Sequence, residues 1–154
     1  MPERKTIERA RRDKRQGKAP STQAGEFVHE EMDHIREGKH GARSTKQAIA
    51  IGLSKARRAG VPLKPPAKNQ AKATTRKKAE QDYEKGRSSS RRTRRPSAKR
   101  SRAATQALKR ESRSAASKQA LSRQARQAAA ARRRRSGASA ASTRRARTTK
   151  RSRG

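Results

Sequence analysis

The chain has 154 residues, of which 46 are Lys or Arg and 12 are Asp or Glu; its formal net charge is +34, hydrophobic residues make up 27%, and Phe27 and Tyr83 are its only aromatic residues. So little apolar surface under so much charge of one sign cannot offset the entropy of ordering by burial, and most of the chain is expected to be disordered when free. Without cysteine there is no disulfide framework and no thiolate metal site, no apolar run approaches the roughly 20 residues needed to span a bilayer, and the N-terminus has no apolar leader, so a soluble intracellular protein is expected.

The first expected element is a helix near 6–16. Thr6 can cap I-E-R-A-R-R-D-K-R-Q ahead of Gly17, and Glu8/Arg12 and Arg9/Asp13 stand at i,i+4, where opposite charges support an exposed helix. It has little to bury. After the turn-like K-A-P-S-T, a second helix near 26–37 carries Val28, Met32 and Ile35 as a narrow apolar stripe, closed by Gly38. The third, near 45–59, has both ends written into S-T-K-Q-A-I-A-I-G-L-S-K-A-R-R-A-G. Ser44 with Gln47 fits a capping box, and Gly60 with Pro62 fits a glycine stop.

At about 100° per residue, Ile49, Leu53 and Ala56 fall on one side of this helix, flanked by Ala48, Gly52 and Ala59. Ala48, Gly52 and Ala56 form a ridge of small residues that admits another helix closely, so Ile49, Gly52, Leu53 and Ala56 are the expected packing or oligomer face. Ile51 lies opposite Ile49, as a surface residue or as a contact to a second protomer or a groove. The hairpin of residues 24–63 has too few large apolar side chains to fold unaided. It should be stable as a homodimer, on a nucleic acid, or weakly.

The block H-E-E-M-D-H-I-R-E-G-K-H-G-A-R-S-T-K-Q-A-I-A-I-G-L-S-K-A-R-R-A-G-V-P-L resembles an uncharacterised family of small basic bacterial proteins built on K-Q-A-I-A-I-x-L-S-x-A-R-x-A-G, over about residues 21–66. Some members of that family are labelled DNA-binding or plasmid-stabilisation proteins, and the basic tail is similar in style to histone-like bacterial tails. The resemblance implies a bacterial origin and DNA binding. It implies no catalytic residue.

Pro62, Pro65 and Pro66 end the helical head, residues 1–63, and open a linker, residues 64–74. The head holds 15 basic and 8 acidic side chains, whereas residues 64–154 hold 31 and 4. Past the linker the large apolar residues are Tyr83, Leu108 and Leu121, too few for a core, so residues 75–154 read as a low-complexity tail. T-T-R-K-K-A-E-Q-D-Y-E-K-G can form a short helix stopped by Gly86. Q-A-L-K-R-E-S-R-S-A-A from Gln106 matches Q-A-L-S-R-Q-A-R-Q-A-A from Gln119 at seven of eleven positions, a weak repeat. Alanine and arginine favour helix, so residues 103–135 are helix-prone but self-repelling. The fold class is therefore mostly α plus disorder.

Residues 85–154 carry 25 basic side chains against the single acid Glu111. That is the footprint of a polyanion-binding segment, because each cation that neutralises a phosphate releases condensed counterion; a charge of +34 matches roughly 17 base pairs of duplex. The expected phosphate contacts in the head are Lys46, Lys55, Arg57 and Arg58. In the tail they are Arg91, Arg92, Arg94 and Arg95; Lys99, Arg100 and Arg102; Arg132, Arg133, Arg134 and Arg135; and Arg144, Arg145, Arg147, Lys150, Arg151 and Arg153. Single-stranded recognition stacks bases on aromatic side chains, of which there are two, so duplex DNA is favoured over RNA. The loop G-K-H-G-A-R is longer than the usual helix-turn-helix turn, which argues against sequence-specific readout.

No constellation for catalysis or cofactor binding is visible. H-E-E-M-D-H resembles the zinc signature H-E-x-x-H, but its histidines stand at i,i+5, about 140° apart on a helix. His29, His34 and His40 are expected at the surface, and Glu30, Glu31 and Asp33 are expected to lack a core that could raise a pKa. The sequence thus reads as a cytoplasmic, nucleoid-associated, histone-like DNA-binding protein. An RNA-binding or ribosome-associated basic protein is the alternative, and no enzyme, metal site or membrane partner is expected.

Overall fold

A computed structural model describes residues 2–88 and 97–151, with side chains as far as residue 136. The chain is mostly helical, as the sequence predicts. Among the described residues there are six α-helices and no strand: α1 Arg4–Arg15, α2 Pro20–Arg36, α3 Thr45–Arg58, α4 Ala73–Arg87, α5 Ala98–Lys109 and α6 Lys118–Arg151, with a 3-10 turn at Arg113–Ala116. Two compact units divide the chain between Ser117 and Lys118.

The first three helices end alike. Gly17, Gly38 and Gly60 have φ of 71°, 78° and 88°. Beyond each glycine the next N–H turns back to a carbonyl of the last turn: Lys18 to Asp13 at 3.0 Å, Lys39 to His34 at 2.9 Å, and Val61 to Ala56 at 3.1 Å. These are the left-handed glycine stops that the sequence marks.

The starts are less regular. Ser44 Oγ accepts from the Gln47 N–H at 3.2 Å, while Gln47 Oε1 accepts from Arg43 N–H at 2.9 Å, one residue upstream of the usual capping-box partner. α1 begins at Arg4, and Thr6 is a buried position inside it rather than its cap. α2 begins at Pro20, ahead of the expected 26, because proline's fixed φ suits the first helical position, where its missing N–H has no helical partner to lose.

α2 lies between α1 and α3, and α4 packs on α3. Contrary to the sequence reading, α1 does bury a face: Thr6, Ala10 and Asp13, at i, i+4 and i+7, turn inward. Its expected intrahelical ion pairs give way to others, Arg9 with Glu26 of α2 and Asp13 with Lys18 of the loop that follows, both at 2.7 Å. One core cluster joins Ala10, Ala24, Phe27, Ala56 and Val61, with Ile7, Leu53 and Leu63 packed against it. The small-residue ridge of α3 is buried, and a Cβ on Gly52 would stand 2.7 Å from Val28 Cα. The helix admitted so closely is α2 of the same chain. Ile49, Ile51 and Leu53 are half-buried at the margins of that contact.

The first unit continues past the boundary expected at 63/64, through Ser117. On α4, the Asp82 carboxylate accepts from Ser54 Oγ at 2.6 Å and from Arg58 at 2.7 Å. Further on, the loop before α3 bonds the segment after α5: the Gly41 and Ala42 N–H groups donate to the Leu108 and Ser112 carbonyls at 2.8 and 3.0 Å. Thr45 Oγ1 donates to Ala115 O at 2.7 Å and Arg36 Nε to Ala116 O at 3.1 Å, and both alanines are buried. The shortage of apolar side chains in the hairpin is thus met by α1, α4 and residues 108–116. The two repeat copies differ in structure, since residues 106–116 run from α5 into the 3-10 turn while residues 119–129 lie wholly within α6.

α6 forms the second unit, 34 residues of helix, about 51 Å long at 1.5 Å per residue. The helix-prone stretch expected at 103–135 therefore falls into the end of α5, the 3-10 turn and the first half of α6.

Candidate nucleic-acid interface and a buried charge cluster

The head contributes less to a phosphate-binding surface than its sequence suggests. Lys46 is exposed on α3. Arg57 is 8% exposed and its Nε donates to the Leu63 carbonyl at 3.2 Å; burial lowers its pKa, with Asp82 opposing the shift. Lys55 turns into the protein, and Arg58 is held by Asp82. Arg58 remains exposed, while helical periodicity could not see that the α2 carboxylates draw Lys55 inward or that the linker folds back onto Arg57. Lys55 and Arg57 are accordingly withdrawn from the set of phosphate contacts.

From α5 onward the described cations of the tail are exposed. Lys99, Arg100 and Arg102 are exposed on α5, and Arg132, Arg133, Arg134 and Arg135 are exposed on α6. Arg144, Arg145, Arg147, Lys150 and Arg151 lie on the backbone of α6. Arg91, Arg92, Arg94, Arg95 and Arg153 lie outside the described residues. No acidic residue occurs in α6, so at neutral pH nothing on this helix offsets its positive field.

A second cluster escaped the sequence reading. At the C-terminal end of α2, Glu30 and Glu31 are 3% and 1% exposed, which overturns the expectation that these carboxylates have no core around them. Lys55 of α3 places its ammonium 2.5 Å from Glu31 Oε2 and 3.5 Å from Glu30 Oε1. Neither oxygen accepts a hydrogen bond of ordinary geometry, so Lys55 compensates them as a charge alone. The other Glu30 oxygen accepts from the Glu3 N–H at 3.2 Å.

The histidines divide as the sequence did not foresee. The side chain of His29 is 66% exposed and pairs with Asp33, whereas those of His34 and His40 are 14% and 16% exposed. The glycine stop at Gly38 returns the chain toward α2, bringing His40 Nε2 to 3.3 Å from Glu31 Oε1. The rings of His34 and His40 meet edge to face with centroids 6.1 Å apart. Glu3 closes the rim, 2.9 Å from His34 Nε2 and 3.3 Å from Lys39 Nζ. The hydrogen bonds to His34 and then Lys39 hold the Glu3 carboxyl below its usual range, and the Glu37 contact raises the Lys39 ammonium. Glu31-x-x-His34 at i,i+3 was the available sequence signal. It was masked by the more familiar His29/His34 spacing.

No protein-family model matches the chain, nor does any curated protein or solved structure.

Proposed function

We propose that the protein is a histone-like, largely sequence-independent DNA-binding protein of the nucleoid, in which α6 and the basic segments around α5 neutralise phosphates while the first unit is a folded carrier. The observation that carries this reading is the 25 basic side chains against one acid in residues 85–154. Two features support it. Most acids of the first unit already have Lys or Arg partners within it, among them Glu3, Asp13, Glu26, Glu31 and Asp82. A helix of about 51 Å also matches the rise of some 15 base pairs, at 3.4 Å each.

The boundary after Ser117 provides the test. A chain ending at residue 117 should keep the helicity of its first unit and lose a large part of the salt dependence of duplex binding, because the slope of log K against log[salt] falls by about 0.9 for each phosphate contact removed. A truncated chain with the full slope would place the phosphates elsewhere. Sequencing the nucleic acid that co-purifies at moderate salt, with DNase and RNase controls, separates the substrates: predominantly ribosomal RNA would transfer the function to RNA.

A further inference from the structure

We propose that Glu31, His34 and His40 form a binding site for a divalent cation of the Zn²⁺ class, which fastens the loop after α2 to the helix that precedes it. Each of the three offers one ligand atom, and these atoms lie within 4.8 Å of one another. Ligands of a tetrahedral zinc ion, each about 2.0–2.1 Å from the metal, stand about 3.4 Å apart, so binding asks the group to close by little more than about 1 Å. Two imidazoles and a carboxylate are the donor set that zinc and its neighbours take, rather than magnesium or calcium.

The setting of His40 points the same way. Its Nδ1 is 3.1 Å from the Gly41 carbonyl oxygen, which can accept from an Nδ1–H and leave the other ring nitrogen for a metal. That nitrogen, Nε2, faces Glu31 Oε1 across 3.3 Å. A backbone carbonyl on the far nitrogen is also the usual support of a metal-bound histidine.

Carboxylates are concentrated around this site, and the one ammonium against Glu31, that of Lys55, is shared with Glu30. Residues 26–37 carry five carboxylates and one arginine within a chain of net charge +34. The site lies at the C-terminal end of α2, where the helix dipole is negative. Glu31 is buried with Oε2 against Lys55 and Oε1 turned to His40, and the side chains of His34 and His40 remain partly exposed, so an ion can enter.

The test uses the full chain, freed of nucleic acid at high salt and stripped with a chelator, then titrated with Zn²⁺ against a chromophoric competitor. One equivalent should bind saturably, and the nitrogen resonances of His34 and His40, but not His29, should shift. His34→Ala and His40→Ala should each weaken binding by at least tenfold, whereas His29→Ala should leave it unchanged. Absence of saturable binding, equal shifts at all three histidines, or wild-type affinity in His40→Ala would overturn the proposal. Should either alanine variant fail to fold, the ring-nitrogen shifts of the unmodified chain decide alone.

Discussion

A methyl group at position 52 has nowhere to go. Its nearest neighbours would be the Val28 Cα at 2.7 Å and the Phe27 carbonyl oxygen at 3.0 Å, backbone atoms that cannot swing aside. Gly52→Ala should therefore destabilise the first unit by about 1–3 kcal/mol, overriding the gain in helix propensity. Gly25 is the control, an exposed glycine inside α2 with nothing within 4 Å of its would-be Cβ. Gly25→Ala should stabilise by about 0.5–1 kcal/mol. Thermal melts followed by circular dichroism measure both, and melting temperatures that move together would refute the packing argument. At Lys55 the quantity at stake is charge. Lys55→Met strands Glu31 in the interior and should cost about 3–5 kcal/mol, while adding Glu31→Leu should recover part of the loss. A double variant as unstable as the single one would mean that Lys55 acts through packing.

Among the elements, ends were more legible than contents. Gly17, Gly38 and Gly60 each stop a helix through a conformation that depends on a few adjacent residues, so the signal is local and survives in the sequence. What α1 buries is decided by α2, and an isolated wheel of R-K-T-I-E-R-A-R-R-D-K-R shows no apolar stripe, because the docking residues are Thr6, Ala10 and Asp13. The cluster at Glu31 was illegible for a similar reason, since it needs a turn to bring back His40 and a neighbouring helix to supply Lys55. The ridge Ala48, Gly52 and Ala56 was read correctly as a close-approach surface, and the structure supplies the partner. α6 rests on a balance between alanine's propensity and the repulsion of Arg132–Arg135. Its ellipticity, taken as the difference between the full chain and residues 1–117, should rise on adding salt or duplex DNA, since both screen the repulsion. A difference spectrum indifferent to both would show that charge does not limit this helix.

At the scale of the molecule, the structural division falls after residue 117 rather than at the proline-rich linker. Composition shifts at the linker because charge does, but packing continues beyond it wherever small residues and backbone groups suffice, as at Ala79, Ala115 and Ala116. Leu53→Asp, which places a carboxylate against the cluster of Ala10, Phe27 and Val61, should lower the helicity of the first unit while scarcely changing the salt slope of DNA binding. Sedimentation, circular dichroism and titration at several salt concentrations separate the two effects, and a slope that collapses with the fold would tie binding to the first unit. The bonds from Thr45 to Ala115 and from Arg36 to Ala116 also set an order of events during synthesis. α1, α2 and α3 are sequence neighbours and can associate as soon as they emerge, whereas contacts that span 70 and 80 residues wait for a long loop to close. A nascent chain thus holds an unfinished head until residue 116 has left the ribosome, and the acid-free helix emerges after it.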